Sequence, residues 1–168
     1  MFYSQSLYSI RIIVILLLLV LHVPFISVSQ KLELWLYPSF HNYSKMTFDL
    51  ENSSSSVQLE IYQRKDTSKI AHMEKQRIDP SNLSDFKIIL KKYVESQDSS
   101  MKIQTGLDGI SITGNLNFND SIYTFSFWSP QKETENHVLL KSSIELLRKN
   151  LTDKNSKQYI RSLKRYLK

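Results

Sequence analysis

The stretch DGISITGNLNFND, residues 108–120, alternates aliphatic or aromatic residues with small polar ones between two turn dipeptides. Ile110, Ile112, Leu116 and Phe118 fall on one side, while Ser111, Thr113, Asn115 and Asn117 fall on the other. That period of two predicts a strand with one buried face, because successive side chains of an extended chain point in opposite directions. Asp108-Gly109 and Asn119-Asp120 supply the flanking turns. The segments 101–105 and 123–128 are the expected neighbouring strands of a three-stranded meander. Gly114 occupies an inward position, which predicts a bulge or the close approach of a helix backbone.

The same rhythm recurs upstream. Leu32, Leu34 and Leu36 alternate with Glu33, Trp35 and Tyr37 until Pro38 ends the run. Met46, Phe48 and Leu50, then Val57, Leu59 and Ile61, predict a hairpin turning through the serines 53–56. A further strand over 69–75 is expected on thinner apolar content.

Three amphipathic helices complete the pattern. Asp79-Pro80-Ser81 is a helix start, since a short polar side chain accepts from free backbone N–H groups and proline suits the first turn. Leu83, Phe86, Ile89, Leu90, Tyr93 and Val94 then share an arc of roughly 140°. A second helix over 135–151 buries Leu139, Leu140, Ile144, Leu146 and Leu147. A third, capped by Ser156 and running over 156–168, turns Tyr159, Ile160, Leu163, Tyr166 and Leu167 inward. Strands with one apolar face and helices with one apolar side predict an α+β fold of two layers. One mainly antiparallel sheet of six to seven strands then carries helices on one face only.

The chain has 168 residues, enough for one domain with a core, taken here as residues 30–168. Ahead of it, Arg11 precedes ten large aliphatic residues, Ile12 to Leu21, and Ser27-Val28-Ser29 sets small residues where a signal peptidase reads. This predicts an export signal over residues 1–29, cleaved after Ser29, or an uncleaved inner-membrane anchor over 12–28. The location expected is periplasmic or secreted. Absence of cysteine excludes disulfides, thiolate metal sites, thiol nucleophiles and bacterial lipidation, and tilts the origin toward a bacterial envelope.

The net charge of +6 is local. Residues 141–168 hold nine Lys or Arg against Glu145 and Asp153, so the rest of the chain is close to neutral. Lys157, Arg161, Lys164, Arg165 and Lys168 share one arc of the last helix, either as a solvated face or as a surface for anionic lipid or an acidic partner. Trp35, Tyr37, Tyr62 and Trp128 have the wrong parity for the aliphatic core, so an open sheet face would display them for stacking on a glycan or a partner protein.

Asn42, Asn52, Asn82, Asn119 and Asn150 fit Asn-x-Ser/Thr, which would accept glycans in a eukaryotic secretory protein and is inert in a bacterium. His41, His72 and His137 lie on different elements without metal-ligand spacing, so no metal or cofactor is expected. No nucleophile elbow or phosphate-cradling loop occurs, and no nucleic-acid partner is expected. The composite expectation is a non-catalytic exported binding protein, with inhibitor or immunity roles as instances. An exported hydrolase of unfamiliar type and a membrane-apposed structural protein are the alternatives.

Overall fold

Alternation and turn chemistry build one sheet. A computed structural model describes residues 30–51, 54–96 and 108–167. The predicted leader 1–29, the segment 101–105, Asn52 and Lys168 lie outside the described residues. Six strands follow in chain order: β1 (Lys31–Pro38), β2 (Ser44–Asp49), β3 (Ser56–Gln63), β4 (Asp66–Arg77), β5 (Ile110–Phe118) and β6 (Ser121–Trp128). They stand in the order β4-β3-β2-β1-β5-β6, with every neighbouring pair antiparallel.

The helices are α1 (Pro80–Ser96), α2 (Glu135–Asn150) and α3 (Lys154–Leu163), the last running into a 3-10 turn, Lys164–Leu167. No helix among the described residues is long and apolar enough to cross a membrane. All three helices contribute to one core with the sheet. Leu32, Leu34 and Leu36 of β1, Met46 and Phe48 of β2, and Ile110, Ile112 and Leu116 of β5 have no exposed surface. Above them, Phe86 of α1 packs on Phe48 at 5.2 Å between ring centroids, and Tyr93 meets Phe125 of β6 at 4.9 Å. Helix α2 lies beside α1 and over β3, and α3 lies over β4.

Helix starts follow the capping chemistry. Asp79 accepts from the Ser81 N–H at 2.9 Å, and Thr134 accepts from the His137 N–H at 3.3 Å. The start of α3 departs from expectation. Asp153, not Ser156, is the cap and accepts from the N–H groups of Asn155 and Ser156 at 2.7 and 3.3 Å. A carboxylate three residues earlier reaches the free N–H groups first, and Ser156 is left buried inside the helix.

Strand β5 pairs with β6 along one edge and with β1 along the other, from Lys31↔Asn117 to Pro38↔Ile110. One further expectation is corrected. Gly114 makes room neither for a bulge nor for a helix. It faces Phe125 across the β5–β6 pair, and a Cβ at Gly114 would stand 2.2 Å from that ring. Asn119 and Asp120 carry φ of 50° and 62°, the positive pair that a two-residue hairpin between Phe118 and Ser121 demands.

Strand β4 is longer than 69–75 and is an edge strand. Its helix-side positions are His72, Glu74 and Gln76, opposite Ile61, Leu59 and Val57 of β3. Polar residues occupy a core-facing row here because the start of α3 covers it.

Candidate functional site

The side of the sheet turned away from the helices carries no covering element among the described residues. On it the register aligns Trp35 with Lys45 and Glu60, and aligns Tyr37 with Ser111 and Trp128. Trp35 and Tyr62 lie 5.6 Å apart, Tyr37 and Tyr43 lie 5.4 Å apart, and Lys45 Nζ sits 5.1 Å over the Trp35 ring. The four predicted rings therefore share one face, joined by Tyr43 at the end of the β1–β2 loop. Tyr37 is 39% exposed. Trp128 is half-buried and spends part of its indole on its own fold, lying against Gly109 where a Cβ would be 2.7 Å away.

Beside the rings lies a shallow depression of about 220 Å³ with alternating charges. Glu33 takes Lys31 at 2.8 Å and Lys45 at 2.9 Å. Burial raises its carboxyl, but the two ammonium groups outweigh burial and hold it below the ordinary value. The Tyr62 hydroxyl donates to Glu60, and burial together with that carboxylate pushes the phenol upward.

The basic residues of the last helix do not stay together. At Lys164 the helix tightens to 3-10 geometry. Lys164 reaches Glu145 of α2 at 3.1 Å, whereas Arg165 turns the other way, 5.8 Å over Phe40 and 3.5 Å from His41 Nε2. Lys157 and Arg161 stand exposed and make no ion pair among the described residues.

His72, Glu74 and Asp153 bring one ligand atom each within 4.8 Å of one another. Their bonds mark the cluster as a clamp on α3. Glu74 Oε1 accepts from the Thr152 N–H at 2.8 Å and the Asp153 N–H at 3.2 Å, and also from the Thr152 hydroxyl. His72 Nε2 lies 2.9 Å from Ser156 Oγ and 3.3 Å from Asp153 Oδ1. Burial raises the Glu74 carboxyl, and the hydrogen bonds from Ser156, Thr152, Asp153 and Gln76 overcome this and bring it down to about 2. A cation would compete with N–H donors at the positive end of a helix, which disfavours it there.

Between the β1–β2 loop, β4 and α3 runs an open groove of about 520 Å³. His41 and His72, separate in sequence, both line it, with Asn42, Asn155, Gln158 and Ser162. Tyr159 forms part of its floor and donates to the Asn42 carbonyl at 2.7 Å. Burial first, then Arg165 and Arg64, hold the His41 imidazolium disfavoured, so its pKa is lowered. His137 lies elsewhere, with Nε2 3.3 Å from the Leu167 carbonyl. Sequence alternation found the open face, but the groove draws on three elements and leaves no periodic trace.

Among the Asn-x-Ser/Thr positions, Asn119 is exposed in the β5–β6 turn, while Asn42, Asn82 and Asn150 are half-buried. No protein-family model matches the chain, and no curated protein matches it either.

Proposed function

We propose that this chain is an exported, non-catalytic binding protein that engages another envelope protein or a glycan through the open face of its sheet. One observation carries the reading: among the described residues, a sheet with helices packed on one side leaves the other uncovered, and that side collects Trp35, Tyr37, Tyr43, Tyr62 and Trp128. Flat aromatic side chains give large contact area at low entropy cost, which suits stacking on sugar rings or anchoring a protein partner. The leader, Arg11 followed by Ile12 to Leu21, supports a periplasmic or secreted location, or anchoring through 12–28. Fractionation with N-terminal sequencing tests that address. A protein starting at Gln30 outside the cytoplasm supports it, and an intact cytosolic product refutes it.

The face itself is tested by a photo-crosslinking residue in place of Tyr37, with the exposed Lys92 of α1 as the control position. Expected is one adduct, protein or polysaccharide, at position 37 and none at 92. Equal adducts at both positions, or none at 37 in correctly located protein, refute the reading.

A second reading rests on Lys157 and Arg161, exposed and without ion pairs among the described residues. Such a face supports apposition to an anionic bilayer. Binding to phosphatidylglycerol vesicles that weakens with salt and is lost in Lys157→Gln/Arg161→Gln supports it, whereas salt-insensitive binding refutes it.

A further inference from the structure

The groove beside α3 has a composition that neither the core nor the aromatic face requires. Its α3 wall is Asn155, Gln158 and Ser162, residues spaced to lie on one side of the helix, and Asn42 faces them from the loop. Amides and hydroxyls both donate and accept, so together they match the vicinal hydroxyls of a sugar. At the mouth, Phe40 is 55% exposed, which leaves ring surface available for stacking on an apolar sugar face. No Asp or Glu lines the groove.

The cations at this mouth are the second observation. Arg165 is held by ring contacts, 5.8 Å over Phe40 and 5.6 Å over Tyr166, and by His41 at 3.5 Å. Arg64, in the β3–β4 turn, donates to the Ser39 carbonyl at 3.4 Å on the same loop. Neither guanidinium has a carboxylate partner among the described residues. Burial first, and then these two guanidinium groups, lower the pKa of His41. Glu74 and Asp153, the nearest carboxylates to His72, are occupied by the start of α3.

The geometry points to an acidic saccharide as the ligand of this groove, its hydroxyls bonded by Asn42, Asn155 and Gln158, its ring over Phe40 and its carboxylate on Arg165 and Arg64. The volume of about 520 Å³ lies within the range of about 300–1,000 Å³ that small-ligand sites occupy. A planar guanidinium meets a carboxylate through two parallel bonds, which is why arginine and not lysine marks the acidic end. This site is separate from the aromatic face, so either can fail without the other.

The test is a titration of the full chain with D-glucuronate, D-glucose and inorganic phosphate, followed by amide and imidazole NMR signals. Expected are shifts at His41, Asn155 and Gln158 with glucuronate, at least tenfold weaker binding of glucose, and loss of that preference in Arg165→Gln with unchanged circular dichroism. Arg64→Gln is the parallel variant should Arg165→Gln unfold the terminal turn. Equal response to glucuronate and glucose overturns the proposal. So does a preference that survives both arginine variants, or no response in the groove at all. Phosphate shifting the same signals at the same concentration overturns the saccharide assignment and leaves only an anion seat.

Discussion

Glu74 on the edge strand β4 accepts the backbone N–H of Thr152 at 2.8 Å, a bond spanning 78 residues that ties α3 to the sheet. The carboxylate is 9% exposed and receives several donors, so replacing it by an amide keeps one acceptor oxygen but removes the charge and sets an NH2 donor against the N–H groups at the helix start. Glu74→Gln is expected to cost on the order of 2 kcal/mol at pH 7, read from urea unfolding. The sign with pH follows from a folded-state pKa brought down from 4.5 to about 2. The wild-type advantage is present above the ordinary value of 4.5 and is lost as pH falls toward about 2. Wild type and variant should converge in that window, and a gap independent of pH would contradict the clamp.

Gly114 and Phe125 set the second prediction. A Cβ at Gly114 would lie 2.2 Å from the Phe125 ring and 3.0 Å from Leu34 Cδ2. Overpacking of this kind costs about 1–3 kcal/mol, so Gly114→Ala should lower the melting temperature. Adding Phe125→Leu should recover part of the loss, because the smaller side chain vacates the space. Additive destabilisation in the double variant would show that the glycine serves another purpose.

In the β5–β6 hairpin, Asp120 holds φ of 62° with a side chain that pays for it. Asp120→Gly relieves that strain and should stabilise by about 0.5–1 kcal/mol, seen as a higher melting temperature. A neutral or destabilising result would mean that the Asp120 side chain contributes more than its backbone conformation costs.

Trp35 separates a surface role from a core role by magnitude. Its contacts are Tyr62 at 5.6 Å and Lys45 at 5.1 Å, both on the open face. Trp35→Ala should therefore cost about 1 kcal/mol, against about 3–5 kcal/mol for a buried aromatic truncated to Ala. Unchanged circular dichroism with a small shift in the urea midpoint is the expected outcome.

These contrasts explain what the sequence could and could not display. Period-two alternation exposed β1, β2, β3, β5 and β6 with their faces, and the placement of Trp35, Tyr37, Tyr62 and Trp128 followed from parity. Strand order stayed hidden, because alternation names a face and not a neighbour. Pairing of β1 with β5 could not be read from either strand alone. The weakness of β4 in sequence has a cause: His72, Glu74 and Gln76 face the helix layer yet answer the N–H groups and Ser156 of α3, so no aliphatic stripe marks them. Asp153 and Ser156 are both competent caps in the sequence, and only the folded chain shows that Asp153 stands at the helix mouth. His41, His72 and Gln158 meet only after β4 and α3 dock, so their groove has no linear signature.

Pairing of β1 with β5 also governs the order in which the molecule can assemble. Strands β1 to β4 are consecutive hairpins and close through short loops, whereas β5 reaches β1 only after all of α1 has been made. During synthesis, one long side of β1 must wait with its N–H and C=O groups bonded to water and open to another strand. The strand pairing of longest sequence separation thus lies at the middle of the sheet, from Lys31↔Asn117 to Pro38↔Ile110, and early misassembly would concentrate at that waiting edge.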